Sequence, residues 1–482
     1  MIRIRPCAPS GTEFGIRVVT VLVALVLLVK DAPAADLVQA ARLARQYLES
    51  TDPQAKAALS RQFAEYDADW RDVVEVLRPR PTAAVKPGYY KEEHFSQPGL
   101  RKKHPEDLLY LIVPTGYRPD RPTGLVVFMH GGGKGSPRTA PAGYMTPAKP
   151  GSPPSSARVG DLFDAVGMIG VGPSAPWNEN DHSRWCLPET DDYIADVIRE
   201  CKGRFHIDGN RVFLMGHSMG GFGAYHQVQR QPDRFAAVIA SAGSWTLAQW
   251  PVVRGTTFCI VHGKDDAKLG VRDRNTDFAF ARWAHDLLVQ KNIPHVYKEH
   301  AGMHPIGYGK RHILDFFQAG RELRRDPFFP QVVLASPVGY STSKCYPVRH
   351  NRWITLDATS EGLIEYDSLR RHGRGHSKDS PIEEWNEWEL RHAVVKKPGA
   401  IIEAVNRGEN LIDVSTTNVS RFTIWLHPAM VDFDRPIRIK LNGVTRPGER
   451  VAPSLTALLD SFQRRRDWDL VYPAKISLEM GG

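Results

Sequence analysis

Val212-Phe213-Leu214-Met215-Gly216-His217-Ser218-Met219-Gly220-Gly221 decides the fold. Four apolar residues form a buried strand, which breaks at Gly216 and passes into a helical pattern over Ala224-Tyr225-His226-Gln227-Val228. Glycines two before and two after Ser218 let strand and helix pass closely on a turn too sharp for side chains. Such a turn lifts the serine hydroxyl to the carboxyl end of a sheet and aims the next N–H at a developing oxyanion. The reading is therefore a nucleophilic serine rather than an inert one in a Gly-rich turn.

Outward from this turn, residues 106 to 325 alternate short Val/Ile-rich runs with longer amphipathic ones. Leu125–Met129, Val166–Val171, Arg211–Met215, Ala236–Ala240, Thr257–Val261 and His295–Lys298 read as strands. Asp191–Cys201, Met219–Gln229, Asp277–Gln290 and Lys310–Leu323 read as helices. The alternation predicts an α/β domain, a mostly parallel sheet with helices on both faces.

Three further features fall after buried strands, where acyl transfer needs them. His130-Gly131-Gly132-Gly133 follows the first strand, and glycine there lets backbone N–H groups approach an oxyanion. Val261-His262-Gly263-Lys264-Asp265-Asp266 ends a later strand and offers a carboxylate to orient an imidazole. Glu299-His300-Ala301-Gly302-Met303-His304-Pro305 follows the last strand and offers two histidines. Serine, aspartate, histidine is the chain order this chemistry takes on such a sheet. Trp177, Trp185 and Trp245 stand on loops at the strand ends, where they either contact substrate or pack the loops.

Length and composition set the surroundings. A chain of 482 residues predicts two to three domains, and 42% hydrophobic with 24% charged residues is ordinary globular composition. Arg3, Arg5 and Arg17 precede the apolar run Val18–Val29, and Ala32-Pro33-Ala34 follows. That order predicts a secretory signal over 1–34, cleaved after Ala34, rather than a retained anchor. The signal holds four basic and two acidic side chains, so the formal charge changes from +9 to +7. Arg370-Arg371-His372-Gly373-Arg374 and Arg464-Arg465-Arg466 are basic clusters, but no nucleic-acid-binding pattern accompanies them. Cys186, Cys201, Cys259 and Cys345 show neither disulfide framework nor metal spacing.

Residues 35–90 read as a helical segment, split at Thr51-Asp52-Pro53, with a linker marked by Pro79, Pro81 and Pro87. The catalytic unit is expected over 91–326. After Pro327 the pattern turns to short alternating strands such as Ile401–Val405 and Phe422–Leu426, with a turn at Asn442-Gly443 and a helix near Leu455–Arg465. This predicts a separate β-rich module over 327–482.

On His130-Gly131-Gly132-Gly133, Ile207-Asp208-Gly209-Asn210-Arg211-Val212, the Ser218 turn and Pro232-Asp233-Arg234-Phe235-Ala236-Ala237, the middle of the chain resembles the α/β-hydrolase superfamily. It is similar to secreted esterases related to polyhydroxybutyrate depolymerases and feruloyl esterases, and to the prolyl-oligopeptidase catalytic domain. The resemblance implies that the acid stands in a His-Gly-x-x-Asp pattern, which selects Asp266, and that the base follows a glycine by two positions, which selects His304. The Val-Pro that usually follows the acid is replaced by Ala267-Lys268-Leu269-Gly270. The implied chemistry is ester hydrolysis through Ser218, His304 and Asp266, with the N–H groups of Met219 and Gly132 as oxyanion donors. It requires no metal or organic cofactor, and its partner is a small or polymeric ester. A prolyl-oligopeptidase-like peptidase and an exported binding module with a vestigial core are the alternatives; a segment of under a hundred residues cannot hold the propeller of the former.

Overall fold

The computed structural model describes residues 35–480 except 64, 67, 80, 82–84, 133–136, 176–183, 267–275 and 373–388. The signal-segment reading for 1–34 and Trp177 lie outside the described residues. No described helix is long and apolar enough to cross a membrane.

The N-terminal part holds α1 (Ala35–Glu49), α2 (Pro53–Phe63) and α3 (Trp70–Leu77). The middle part is built on β1 (Gly88–Glu93), β2 (Leu109–Val113), β3 (Thr123–Met129), β4 (Ile169–Pro173), β5 (Ile207–His217) and β6 (Ala237–Ser241), then β7 (Leu247–Ala248), β8 (Thr257–Gly263) and β9 (His295–His300). Its helices are α4 (Pro98–Lys103), α5 (Pro141–Met145), α6 (Gly160–Ala165), α7 (Thr190–Arg204), α8 (Met219–Arg230), α9 (Ala279–Gln290) and α10 (Lys310–Ala319). Eight of these strands form one sheet in the order β1-β2-β4-β3-β5-β6-β8-β9. From β4 to β9 every pairing is parallel, while β1 and β2 are antiparallel. Alternate residues of β5 bury in two separate layers: Val212 and Leu214 on one face, Phe213 and Met215 on the other. That double burial is why its sequence reads as a continuous apolar run.

Strand β1 straddles the boundary expected at residue 90, because its Gly88–Tyr90 stretch already pairs with Leu111–Val113 of β2. The C-terminal part carries β10 (Gln331–Ser336), β11 (Val338–Ser341), β12 (Lys344–Tyr346), β13 (His350–Asn351), β14 (Ile354–Thr359), β15 (Leu363–His372) and β16 (Glu389–Pro398). It continues with β17 (Ala400–Asn406), β18 (Leu411–Thr417), β19 (Val419–Leu426), β20 (Arg438–Leu441), β21 (Val444–Thr445), α11 (Leu455–Arg465) and β22 (Ala474–Glu479). It is not separate in its packing. Ser368 and Asp367 of β15 pair with Leu247 and Ala248 of β7, and one hydrophobic core runs through Leu214, Tyr225 and Trp250 to Leu334, Trp353 and Ile424. The N-terminal helices in turn pack on α11, with Ala40, Leu43, Tyr47 and Val73 against Leu455, Leu458 and Leu459.

Candidate active site

Ser218 sits between β5 and α8 at φ 56° and ψ −117°. That left-handed backbone is strained for a residue with a Cβ, and its neighbours hold it there. Its N–H donates to the Ser241 carbonyl at 3.0 Å, across to β6. A Cβ at Gly216 would collide with the Gly220 carbonyl, and one at Gly220 with the Met129 carbonyl. Both glycines are therefore demanded by the close passage of strand and helix.

Three side chains meet at the carboxyl ends of β5, β8 and β9. His304 Nδ1 lies 2.8 Å from Asp266 Oδ2, and its Nε2 lies 2.9 Å from Ser218 Oγ. A carboxylate only accepts, so Nδ1 carries the proton and Nε2 is left to accept from the serine hydroxyl. Asp266 is 3% exposed at its side chain, whereas His304 is 38% exposed and opens to solvent. Burial raises the Asp266 pKa, but the N–H groups of His262 and His304 outweigh it and hold the carboxyl at about 2. Backbone bonds from Lys264 N–H to the His300 carbonyl, 2.9 Å, and from Asp265 N–H to the Gly302 carbonyl, 3.1 Å, fasten the acid loop to the histidine loop. The side chain of Asp265 is exposed. His300 ends β9 with its ring stacked on Tyr308, centroids 6.2 Å apart, and burial pushes it down to about 4.

At the glycine turn after β3, His130 Nδ1 donates to the Gly131 carbonyl at 2.7 Å. Burial pushes His130 down to about 4, so its ring is neutral and this proton is a tautomer choice. Pinning that carbonyl turns the trans peptide so that the Gly132 N–H points the opposite way. Gly132 adopts φ 118°, open to glycine alone. On the other side, Met219 opens α8, where helix geometry leaves the N–H without an intrahelical partner.

Two of the three tryptophans are not at the surface of the site. Trp185 is fully buried and its indole N–H donates to the His130 carbonyl at 3.0 Å. Trp245 is fully buried too, donating to the Phe280 carbonyl at 2.9 Å and packing edge-on against Trp250. An indole placed in a loop is captured by the nearest unpaired carbonyl, so packing prevails over substrate contact.

The structure adds residues that motif reading passed over. His262 Nε2 lies 3.2 Å from Asp266 Oδ2 and 2.8 Å from the Thr276 carbonyl, and Thr276 Oγ1 donates to Asp266 Oδ1 at 3.3 Å. The His217 ring lies 4.9 Å from that of His304 and is held well below the ordinary histidine range by burial. Phe222, one helical turn beyond Ser218, stacks on Tyr340 of β11 at 5.9 Å. His262 was visible in the same stretch as Asp266; Thr276 and Tyr340 carry no local signal.

A family model described as serine aminopeptidase, S33, matches residues 164–264. The match contains Ser218 and ends before Asp266 and His304. The bifunctional acetylxylan esterase/xylanase XynS20E of Neocallimastix patriciarum is 29% identical over 107 residues, which is 22% of this chain and 16% of that protein. Among solved structures, a thermostable esterase is 20% identical with a TM-score of 0.36, covering 49% of this chain and 63% of its own. A feruloyl esterase module from Clostridium thermocellum is 16% identical with a TM-score of 0.34, covering 50% of this chain and 89% of its own. By strand order, by the Ser218 turn and by the family match inside it, the unit from Gly88 to Ala319 is an α/β hydrolase in fold.

Proposed function

We propose that the protein is a serine hydrolase that cleaves carboxylic esters. The observation that carries this reading is the continuous hydrogen-bonded line from Ser218 Oγ through His304 to the buried Asp266. Ser218 Oγ attacks the ester carbonyl as His304 Nε2 takes its proton. The oxyanion accepts from the N–H groups of Met219 and Gly132, and a single such donor contributes about 3 kcal/mol. His304 then passes the proton to the departing alcohol, leaving an acyl-serine. Water, deprotonated by the same nitrogen, attacks the acyl carbon and releases the acid and the serine. Asp266 stays ionised throughout and steadies the imidazolium.

An ester is favoured over an amide by the glycine-backed oxyanion turn and by the acetylxylan esterase named among the similar proteins. The aminopeptidase family model keeps the peptidase alternative in view. Export follows from the charged, apolar and small-residue order of residues 1–34. N-terminal sequencing of the exported protein should begin at Ala35. A fluorophosphonate should label Ser218, and short-chain p-nitrophenyl esters should be turned over with a higher kcat/KM than any peptide amide. Undiminished labelling of Ser218→Ala would sink the nucleophile assignment, and a better peptide substrate would reverse the choice of class.

A further inference from the structure

We infer that His262 is a positioning residue for the acid of this site, a second imidazole that shares the Asp266 carboxylate with His304. The inference rests on the serine-hydrolase reading and extends it.

The geometry fixes the proton on His262. Its Nε2 faces two groups that only accept, the Thr276 carbonyl at 2.8 Å and Asp266 Oδ2 at 3.2 Å, so Nε2 must carry hydrogen and fork it between them. The ring is 1% exposed and stands on β8 in register with Glu299 of β9. Oδ2 therefore receives two imidazole N–H groups, the nearer from His304 at 2.8 Å, while Thr276 Oγ1 reaches Oδ1. Three donors satisfy a carboxylate that water does not reach, and an ionised group so buried needs them.

Sharing has a consequence for the reaction. Charge on Oδ2 that is spent on His262 is not available to His304, so the protonated form of His304 is held less tightly than by an undivided carboxylate. The other groups facing this pair do not offset the effect. His217, on β5, is buried and neutral, His300 at the end of β9 is likewise pushed down, and Glu299 is engaged by Arg282 and Lys264.

The test compares His262→Phe, which keeps the ring and removes the donor, with His262→Gln, which returns an N–H at similar reach. On a p-nitrophenyl ester, the acid limb of the kcat/KM profile in His262→Phe should move up by about half to one pH unit. Plateau kcat should fall about tenfold with KM unchanged, and His262→Gln should restore the limb. An acid limb unmoved in His262→Phe, or moved equally in both variants, overturns the inference and leaves His262 as loop packing. Should the phenylalanine variant not fold, nitrogen-15 shifts of histidine in the unaltered protein decide. Nε2–H on His262 is expected through pH 5 to 8, and the Nδ1–H tautomer overturns the inference. Normal turnover by Ser218→Ala would instead defeat the hydrolase reading, which the tautomer measurement does not touch.

Discussion

Asp266 gathers donors from three parts of the chain, and its chemistry follows from that crowding. With His262, His304 and Thr276 all donating, the carboxylate has no need to take a proton in any ordinary working range. Asp266→Asn keeps the shape but presents an amide in place of a pure acceptor. Its NH2 end would face the proton on His304 Nδ1 and favour the wrong tautomer. We expect kcat to fall by about 10³ to 10⁴ with the fold intact, a size known for such a change in other serine hydrolases. A loss below tenfold would show that Asp266 does not orient the base. The turn after β3 supplies a milder test. His130→Ala frees the Gly131 carbonyl and the oxyanion peptide, and kcat should drop about a hundredfold at little cost in KM. A dominant KM effect would place His130 in substrate binding. At this scale the sequence was legible where backbone fixed the position: Ser218, Asp266 and His304 each stand just past a parallel strand. It was silent on Trp185 and Trp245, because nothing local tells which way a loop indole faces.

Helix α8 is the element that joins Ser218 to the rest of the chain. It begins at the Ser218 turn and ends at Arg230, whose guanidinium clasps Asp191 of α7 and donates to the carbonyls of Val338, Tyr346 and Pro347. One side chain thus fastens the β11–β12 hairpin to the start of α7 and the end of α8, and Tyr340 of that hairpin stacks on Phe222 near the other end of α8. Arg230→Met keeps the aliphatic stem, leaves the Asp191 carboxylate with the Gln227 amide in place of a guanidinium, and removes a donor from three carbonyls. The expected outcome is a lower Tm by several degrees, about 2–4 kcal/mol in denaturant melts, with hydrolase activity reduced as the hairpin loosens. Unchanged stability would mean that the hairpin is held by its hydrophobic contacts alone. The apolar runs of β3, β5, β6 and β8 were readable because both faces are buried. Strand β1, Gly-Tyr-Tyr-Lys-Glu-Glu, was not, since an edge strand half open to water carries no such run. Arg230 also escaped notice, because an arginine at a helix end looks like an ordinary response to the helix dipole.

Across the whole molecule, the change of pattern after Pro327 correctly marks where alternating strands begin, yet it does not mark an independent core. The contacts that unite the three parts are long-range in sequence and leave no local trace. Asp233 accepts from Arg465 and from the Arg352 N–H, while Arg325 and Lys202 both reach Asp467. Burial of this extent also takes imidazoles out of water. His130 and His427 are pushed down to about 4, His226 and His350 to about 3, in each case by burial first. Each is neutral in the folded chain and recovers the ordinary value of 6.5 on unfolding. From pH 6.5 downward the unfolded chain therefore binds more protons than the folded one, and stability falls as pH falls until the folded values are reached. His104 works in the opposite sense: burial lowers its pKa, but Asp107 and Asp196 outweigh that and raise it, so its contribution is complete below pH 6.5, is lost only as pH rises above it, and adds no slope in this window. Depressed carboxylates such as Asp266 and Asp196 titrate from 3.8 downward and do not enter this window. One such histidine yields at most about 1.4 kcal/mol per pH unit, so the summed slope between pH 4 and 6 should exceed that figure. Urea midpoints measured at half-unit steps should fall steadily from pH 6.5 to 4, with the denaturant slope unchanged. A flat stability across that range would mean that these imidazoles are protonated in the native state, and that the buried histidines are paired with charge rather than held apart from it.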